Sequence, residues 1–124
     1  MTILKRGAVS LQTVTTPDIK VAGSPDPSLA LVVDLPQQWN VVVADIPSAV
    51  TTTNGLAGLK LPPDSDVELC DVVEIHVRVA SNGGTLLIYD DSNTLLAGVP
   101  GRSDGAAIIL RKIDATTWRI LSGQ

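Results

Sequence analysis

The chain has 124 residues, 44% of them apolar and 18% charged, which fits one folded domain with room for a short arm and excludes a disordered, charge-rich polymer. Nine Lys and Arg stand against 13 Asp and Glu, for a formal charge of −4 with no basic block, so a nucleic-acid partner is not expected. With no Phe, one Tyr (Tyr89) and two Trp (Trp39 and Trp118), the core must be built from Val, Ile, Leu and Ala. The β-branched residues among these are stiff at χ1 and suit a pleated sheet.

Residues 1–28 differ from the rest. A short β-like stretch at 8–14 is followed by Thr15-Thr16-Pro17-Asp18 and Gly23-Ser24-Pro25-Asp26-Pro27. Pro and Gly at that density interrupt regular structure. An extended N-terminal arm with loops is expected, and an edge strand folded onto the same domain is the alternative. Lys5 and Arg6 precede Gly-Ala-Val-Ser-Leu-Gln, too polar and short for a signal-peptide core.

From Leu29 onward, short apolar runs at 29–33, 39–44 and 56–61 are closed by Asp34-Leu35-Pro36, Asp45-Ile46-Pro47 and Pro62-Pro63-Asp64. Such spacing is an all-β signature. The clearest strand is 73–79, where Val73, Ile75, Val77 and Val79 alternate with Glu74, His76 and Arg78. A period of two sends the apolar side chains to one face and the charged ones to the other. Ser81-Asn82-Gly83-Gly84 then predicts a tight hairpin, with 85–89 as the returning partner strand. A turn at 90–93, a strand at 94–99, a loop at 100–105 and a last hairpin of 106–112 with 117–121 complete the chain. At most one helical turn is expected, within 67–73.

Few residues offer chemistry. His76, the single histidine, lies between Glu74 and Arg78 on the charged face, where a solvated surface role is expected. Cys70, the single cysteine, has no intrachain disulfide partner and is expected to be a small core residue. One Cys and one His do not make a zinc site. Asp64, Asp66, Glu68 and Asp71, like Asp90 and Asp91, read as turn acids, because no Gly or Glu follows Asp64-Ser65-Asp66 at the offsets a calcium loop needs. Gly98, Gly101 and Gly105 do not precede a helix and are loop glycines rather than a phosphate cradle. Trp118 is expected to anchor the core. Trp39, flanked by Gln37, Gln38 and Asn40, reads equally as a core residue or as an interface anchor. No enzyme, metal, cofactor or membrane partner is expected.

The order of segments across residues 49–122 carries a resemblance. Leu59-Lys60-Leu61-Pro62 leads to Cys70-Asp71-Val72-Val73-Glu74-Ile75, then Gly84-Thr85-Leu86-Leu87-Ile88-Tyr89, Thr94-Leu95-Leu96-Ala97-Gly98, Ala106-Ala107-Ile108-Ile109-Leu110 and Thr116-Thr117-Trp118-Arg119-Ile120. This resembles a short β module of tailed-bacteriophage virion proteins, found in head decoration (cement) proteins and in head and tail fibres. The family usually carries Gly where Cys70 stands. The resemblance implies a virion structural protein, made in the host cytoplasm, that associates as a homotrimer and binds the major capsid protein. A tail or head fibre component for receptor or glycan adhesion is the alternative. Ile3, Leu4, Lys5 and Arg6 are then candidates for clamping a capsid surface. The expected fold is a compact antiparallel β-sandwich or barrel-like domain over 29–124, preceded by the arm over 1–28.

Overall fold

The computed structural model describes residues 9–21, 23–51, 55–79, 83–101 and 105–123. The protein is all-β. Its strands are β1 (Val9–Thr15), β2 (Lys20–Val21), β3 (Ser24–Pro25), β4 (Leu31–Val32), β5 (Trp39–Ile46), β6 (Leu56–Lys60), β7 (Val72–Val79), β8 (Thr85–Tyr89), β9 (Leu95–Pro100), β10 (Ala106–Lys112) and β11 (Trp118–Gly123). Short 3-10 turns at Pro27–Leu29 and Asp64–Asp66 are the only helical segments among the described residues.

Two sheets carry the fold. One has five strands in the order β1-β5-β7-β10-β11, and the other four in the order β4-β6-β8-β9. Neither closes on itself among the described residues. Their facing residues form one buried cluster, including Val42, Ala44, Ile46, Leu59, Val73, Ile75, Val77, Leu86, Ile88, Ile108, Leu110 and Trp118. The alternation read along 73–79 lands where it should, because Val73, Ile75 and Val77 are buried while Glu74, His76 and Arg78 face outward. Asn40 pins the start of β5, its Nδ2 donating to the carbonyls of Gln37 at 2.7 Å and Val72 at 3.2 Å.

The pairing departs from the antiparallel expectation. β1 with β5, β5 with β7, β4 with β6 and β6 with β8 are all parallel. The connections between these strands carry the chain from one sheet to the other and back, so that strands two apart in sequence (β4 and β6, β5 and β7, β6 and β8), or four apart for β1 and β5, become neighbours. Val9 lies opposite Trp39 and Trp39 opposite Val72, offsets of 30 and 33 residues. Leu31 lies opposite Leu59 and Leu56 opposite Thr85, offsets of 28 and 29. The N-terminal two thirds is thus wound as stacked coils of near-constant length. Antiparallel β9, β10 and β11 finish the stack.

The hairpin expected between 73–79 and 85–89 does not form. β7 pairs with β5 and β10 in one sheet, and β8 with β6 and β9 in the other. Gly83 and Gly84 do take positive φ, 86° and 78°. They serve a crossing between layers, with a Cβ on Gly84 only 3.0 Å from Val50 Cγ1. The hairpin of β10 and β11 does form. In its turn the Thr116 N–H donates to Asp114, which holds that exposed carboxyl below the usual aspartate range.

Val9–Thr15 forms the edge strand of the five-stranded sheet, so of the two readings of the N-terminal stretch this portion follows the second. The chain then crosses to the other sheet. The N–H of Ile19 donates to the carbonyl of Leu56 at 2.9 Å, and that of Gly58 to the carbonyl of Pro17 at 3.2 Å. Ile19 and Ala30 pack with Leu87 and Tyr89 into a second small core on the far side of the four-stranded sheet. β8 is therefore covered on both faces, and burial raises the pKa of the Tyr89 hydroxyl above the ordinary tyrosine value.

Cys70 corrects the expectation of a small core residue, for it is exposed. Its φ of 72° places it in the left-handed region as the chain turns into β7, and its N–H donates to the carbonyl of Lys112 at 2.8 Å. The turn turns the side chain outward and reserves burial for Asp71 and Val72. A side chain with Cβ in this region costs about 1–2 kcal/mol, partly offset by the unfolded-state entropy of glycine. Cys70→Gly is expected to raise stability by up to about 1 kcal/mol, read from the urea midpoint. A fall in the midpoint would show that the thiol contributes more than the strain removes.

Candidate interaction surface

The five-stranded sheet is the larger of the two main sheets among the described residues, and the register of its outer face can be read row by row. Leu11, Val41, Glu74 and Ile109 lie side by side across β1, β5, β7 and β10. The next row is Thr13, Val43, His76 and Ala107. Val9 and Trp39 flank the first row on one side, and Asp45 and Arg78 lie beyond the second on the other. Val9 is 52% and Leu11 71% exposed, while Trp39, Val41, Val43 and Ile109 are partly buried. Val41, Val43, His76, Arg78, Gly105 and Ala107 are among the residues lining a shallow depression of about 650 Å³ on this face.

Two side-chain pairs lie on the face, one along β7 and one between β5 and β7. His76 Nε2 and Glu74 Oε2 are 2.6 Å apart. They are two residues apart on one strand, hence on the same side. The Arg78 guanidinium donates to both carboxylate oxygens of Asp45, at 2.7 and 3.0 Å across the β5–β7 ladder. This pairing, hydrogen bond first and charge second, raises the Arg78 pKa further. The surface thus sets the apolar side chains of β1 and β5 beside a polar strip on β7, with Arg111 and Arg119 continuing the row of Val9 and Trp39 on β10 and β11. His76 has a carboxylate partner, and no hydroxyl or thiol is hydrogen-bonded to it among the described residues.

The other sequence candidates are scattered. Trp118 is 6% exposed and lies under Lys112, whose Nζ is 5.4 Å from the ring centroid. Trp39 is half-buried at the start of β5, on the outer face. Ile3, Leu4, Lys5 and Arg6 lie outside the described residues. The acidic clusters act on nearby backbone and on one lysine. Asp90 accepts from the N–H groups of Ser92 and Thr94, Asp71 from that of Glu68 and Asp91 from that of Asp64, all at 2.9 Å. Asp64 also holds Lys112. Among the described residues no three His, Cys, Asp or Glu side chains gather closely enough to hold a metal ion.

Comparison with family models, with curated proteins and with solved structures gave no match for this chain. The reading of function therefore rests on the surface itself and on the resemblance across 49–122.

Lys112 is the notable residue that sequence reading passed over. It ends β10 with its side chain 2% exposed, bonded to Asp64. The signal was present, since Ile108, Leu110 and Lys112 share one face at period two. Following that alternation to its last member places an ammonium on the buried side.

Proposed function

We propose that the chain is a non-enzymatic virion building block. In this reading it is a capsid-decorating (cement) module, folded as a two-layer β-sandwich, that associates with copies of itself and holds to the major capsid protein. The observation that carries the reading is the outer face of the five-stranded sheet, where Val9, Leu11, Trp39, Val41 and Val43 make an apolar patch across β1 and β5 and Asp45 at its border is already paired with Arg78. A face of that kind gains from being covered, at about 25 cal/mol per Å² of apolar area removed from water. The Asp45–Arg78 pair at its border can stay bonded when the face is covered. Ile3, Leu4, Lys5 and Arg6 are proposed as an accessory clamp on the capsid.

Purified protein is expected to co-sediment with phage heads that lack it. Val41→Lys combined with Val43→Lys should abolish co-sedimentation while circular dichroism stays that of a β protein, because both side chains face outward. Deleting residues 2–6 should weaken occupancy. Full occupancy by the double lysine variant would overturn the adhesive role of this face. A second reading, a fibre component, is favoured by one observation, the stacking of parallel coils at offsets of 28–33 residues. Immunogold labelling of virions separates the two, since gold on the tail selects the fibre.

A further inference from the structure

The four sheet edges are not alike. Exposed edges invite pairing with other chains, and proteins blunt them with charge, proline, bulges or short length. β11 carries Arg119 and lies against a register shift at Ile109/Leu110. β9 ends on Pro100 and lies against a shift at Ile88/Tyr89. β4 is only two residues long. β1 has none of these devices. Its seven residues, Val-Ser-Leu-Gln-Thr-Val-Thr, hold no charge and no proline and pair with β5 without a shift. No strand is paired with its other edge among the described residues. Apolar exposure collects at the same end of the stack. Of the eleven exposed large hydrophobics among the described residues, Val9, Leu11, Val21, Leu29, Leu31 and Val32 all belong to the first coil.

From this asymmetry we infer that β1 is a strand-addition edge and that its occupant is a second copy of this chain, paired β1 to β1 about a two-fold axis. Such an axis makes the pair antiparallel and sets each residue against its mirror in the sequence. Centred on Gln12, Val9 faces Thr15 of the copy, Ser10 faces Val14, Leu11 faces Thr13 and Gln12 faces Gln12. A strand opposed to itself suffers if it is charged, because like meets like. β1 is uncharged throughout. The centre of the register meets a further need. Oε1 of Gln12 is buried without a hydrogen-bond partner among the described residues. Self-pairing brings a second Gln12 amide, with two N–H donors, to the directly opposite position. The joined sheets would run ten strands without interruption.

This contact deepens the self-association in the proposed function, but it is tested on the pure protein with no capsid present. Failure to bind heads therefore leaves it standing, and its own failure leaves head binding open. Light scattering and native mass spectrometry of the full chain are expected to show a dimer. Leu11→Lys, at a position 71% exposed and so tolerant in the monomer, should weaken that dimer by at least about tenfold, because it sets two like charges near the axis. In a Cys70→Ser background, Gln12→Cys should give a dimer-sized band under oxidation and Ser10→Cys should not. A wild-type chain that stays monomeric at tens of micromolar overturns the inference. So does a trimer indifferent to Leu11→Lys, or a Gln12→Cys protein that does not cross-link.

Discussion

Asp64→Ala is expected to lower stability by about 2–4 kcal/mol, whereas Lys112→Met is expected to change it by less than about 1 kcal/mol. Both residues belong to the same ion pair, and the asymmetry follows from where each sits. The Lys112 side chain is 2% exposed, while that of Asp64 is 26% exposed and open to water on one side. Removing the carboxylate strands an ammonium between Asp64's former place and the Trp118 ring, 5.4 Å away. The ring face offers a cation about 0.5–2 kcal/mol, too little to replace a carboxylate in a site with almost no solvent. Removing the lysine instead leaves a carboxylate that water can reach, and the methionine stem fills the space. The double variant should therefore recover most of what Asp64→Ala loses. Urea midpoints of the four proteins check this. If Asp64→Ala costs less than about 0.5 kcal/mol, the ammonium is hydrated and the account of this site is wrong.

The same pair shows what sequence alone reveals and what it hides. Strand positions were legible, because Pro, Asp, Asn and Gly punctuate short aliphatic runs. Every major strand lies within a few residues of its expected place. Partners were not legible. The Ser81-Asn82-Gly83-Gly84 segment has the chemistry of a hairpin turn, and local chemistry reports that backbone reverses, not which sheet receives it. One cue to parallel order was present and unused. The run Leu86-Leu87-Ile88-Tyr89 is continuously apolar rather than alternating, as strands covered on both faces are. β8, which holds it, is covered on both faces and pairs in parallel with β6. Cys70 misled for a related reason. Residue type favours burial of a thiol, but the positive φ that ends the turn before β7 decided its direction. The surface proposed for adhesion was half legible. Glu74, His76 and Arg78 were expected to face outward. That Val41 and Val43 lie beside them depends on the 33-residue offset between β5 and β7, which no local pattern encodes.

Ile19→Ala is expected to release the strap that covers the four-stranded sheet without unfolding the two-sheet core. Ile19 is fully buried, yet it belongs to the small cluster with Ala30, Leu87 and Tyr89 and not to the main one. Truncating it removes three methyl or methylene groups and leaves a cavity, a loss of about 2–4 kcal/mol that falls on the local opening. The amide of Asp26, which donates to the carbonyl of Ile19 at 2.7 Å, and the amide of Ile19, bonded to Leu56, should lose hydrogen-exchange protection. Amides of β7 and β10 should keep theirs. Gly58→Val reaches the same state from the other side. A Cβ on Gly58 would stand 2.7 Å from both Cδ1 and Cγ2 of Ile19 and 3.1 Å from the Cβ of Ala30. Ile19 is branched at Cβ and boxed in, so it cannot yield by changing rotamer alone. Agreement between the two variants would show that the strap is a clasp closed by one side chain over one missing Cβ. Equal loss of protection in β7 and β10 would instead make residues 16–30 part of a single cooperative unit, and the first coil would then be as firmly built as the rest of the stack.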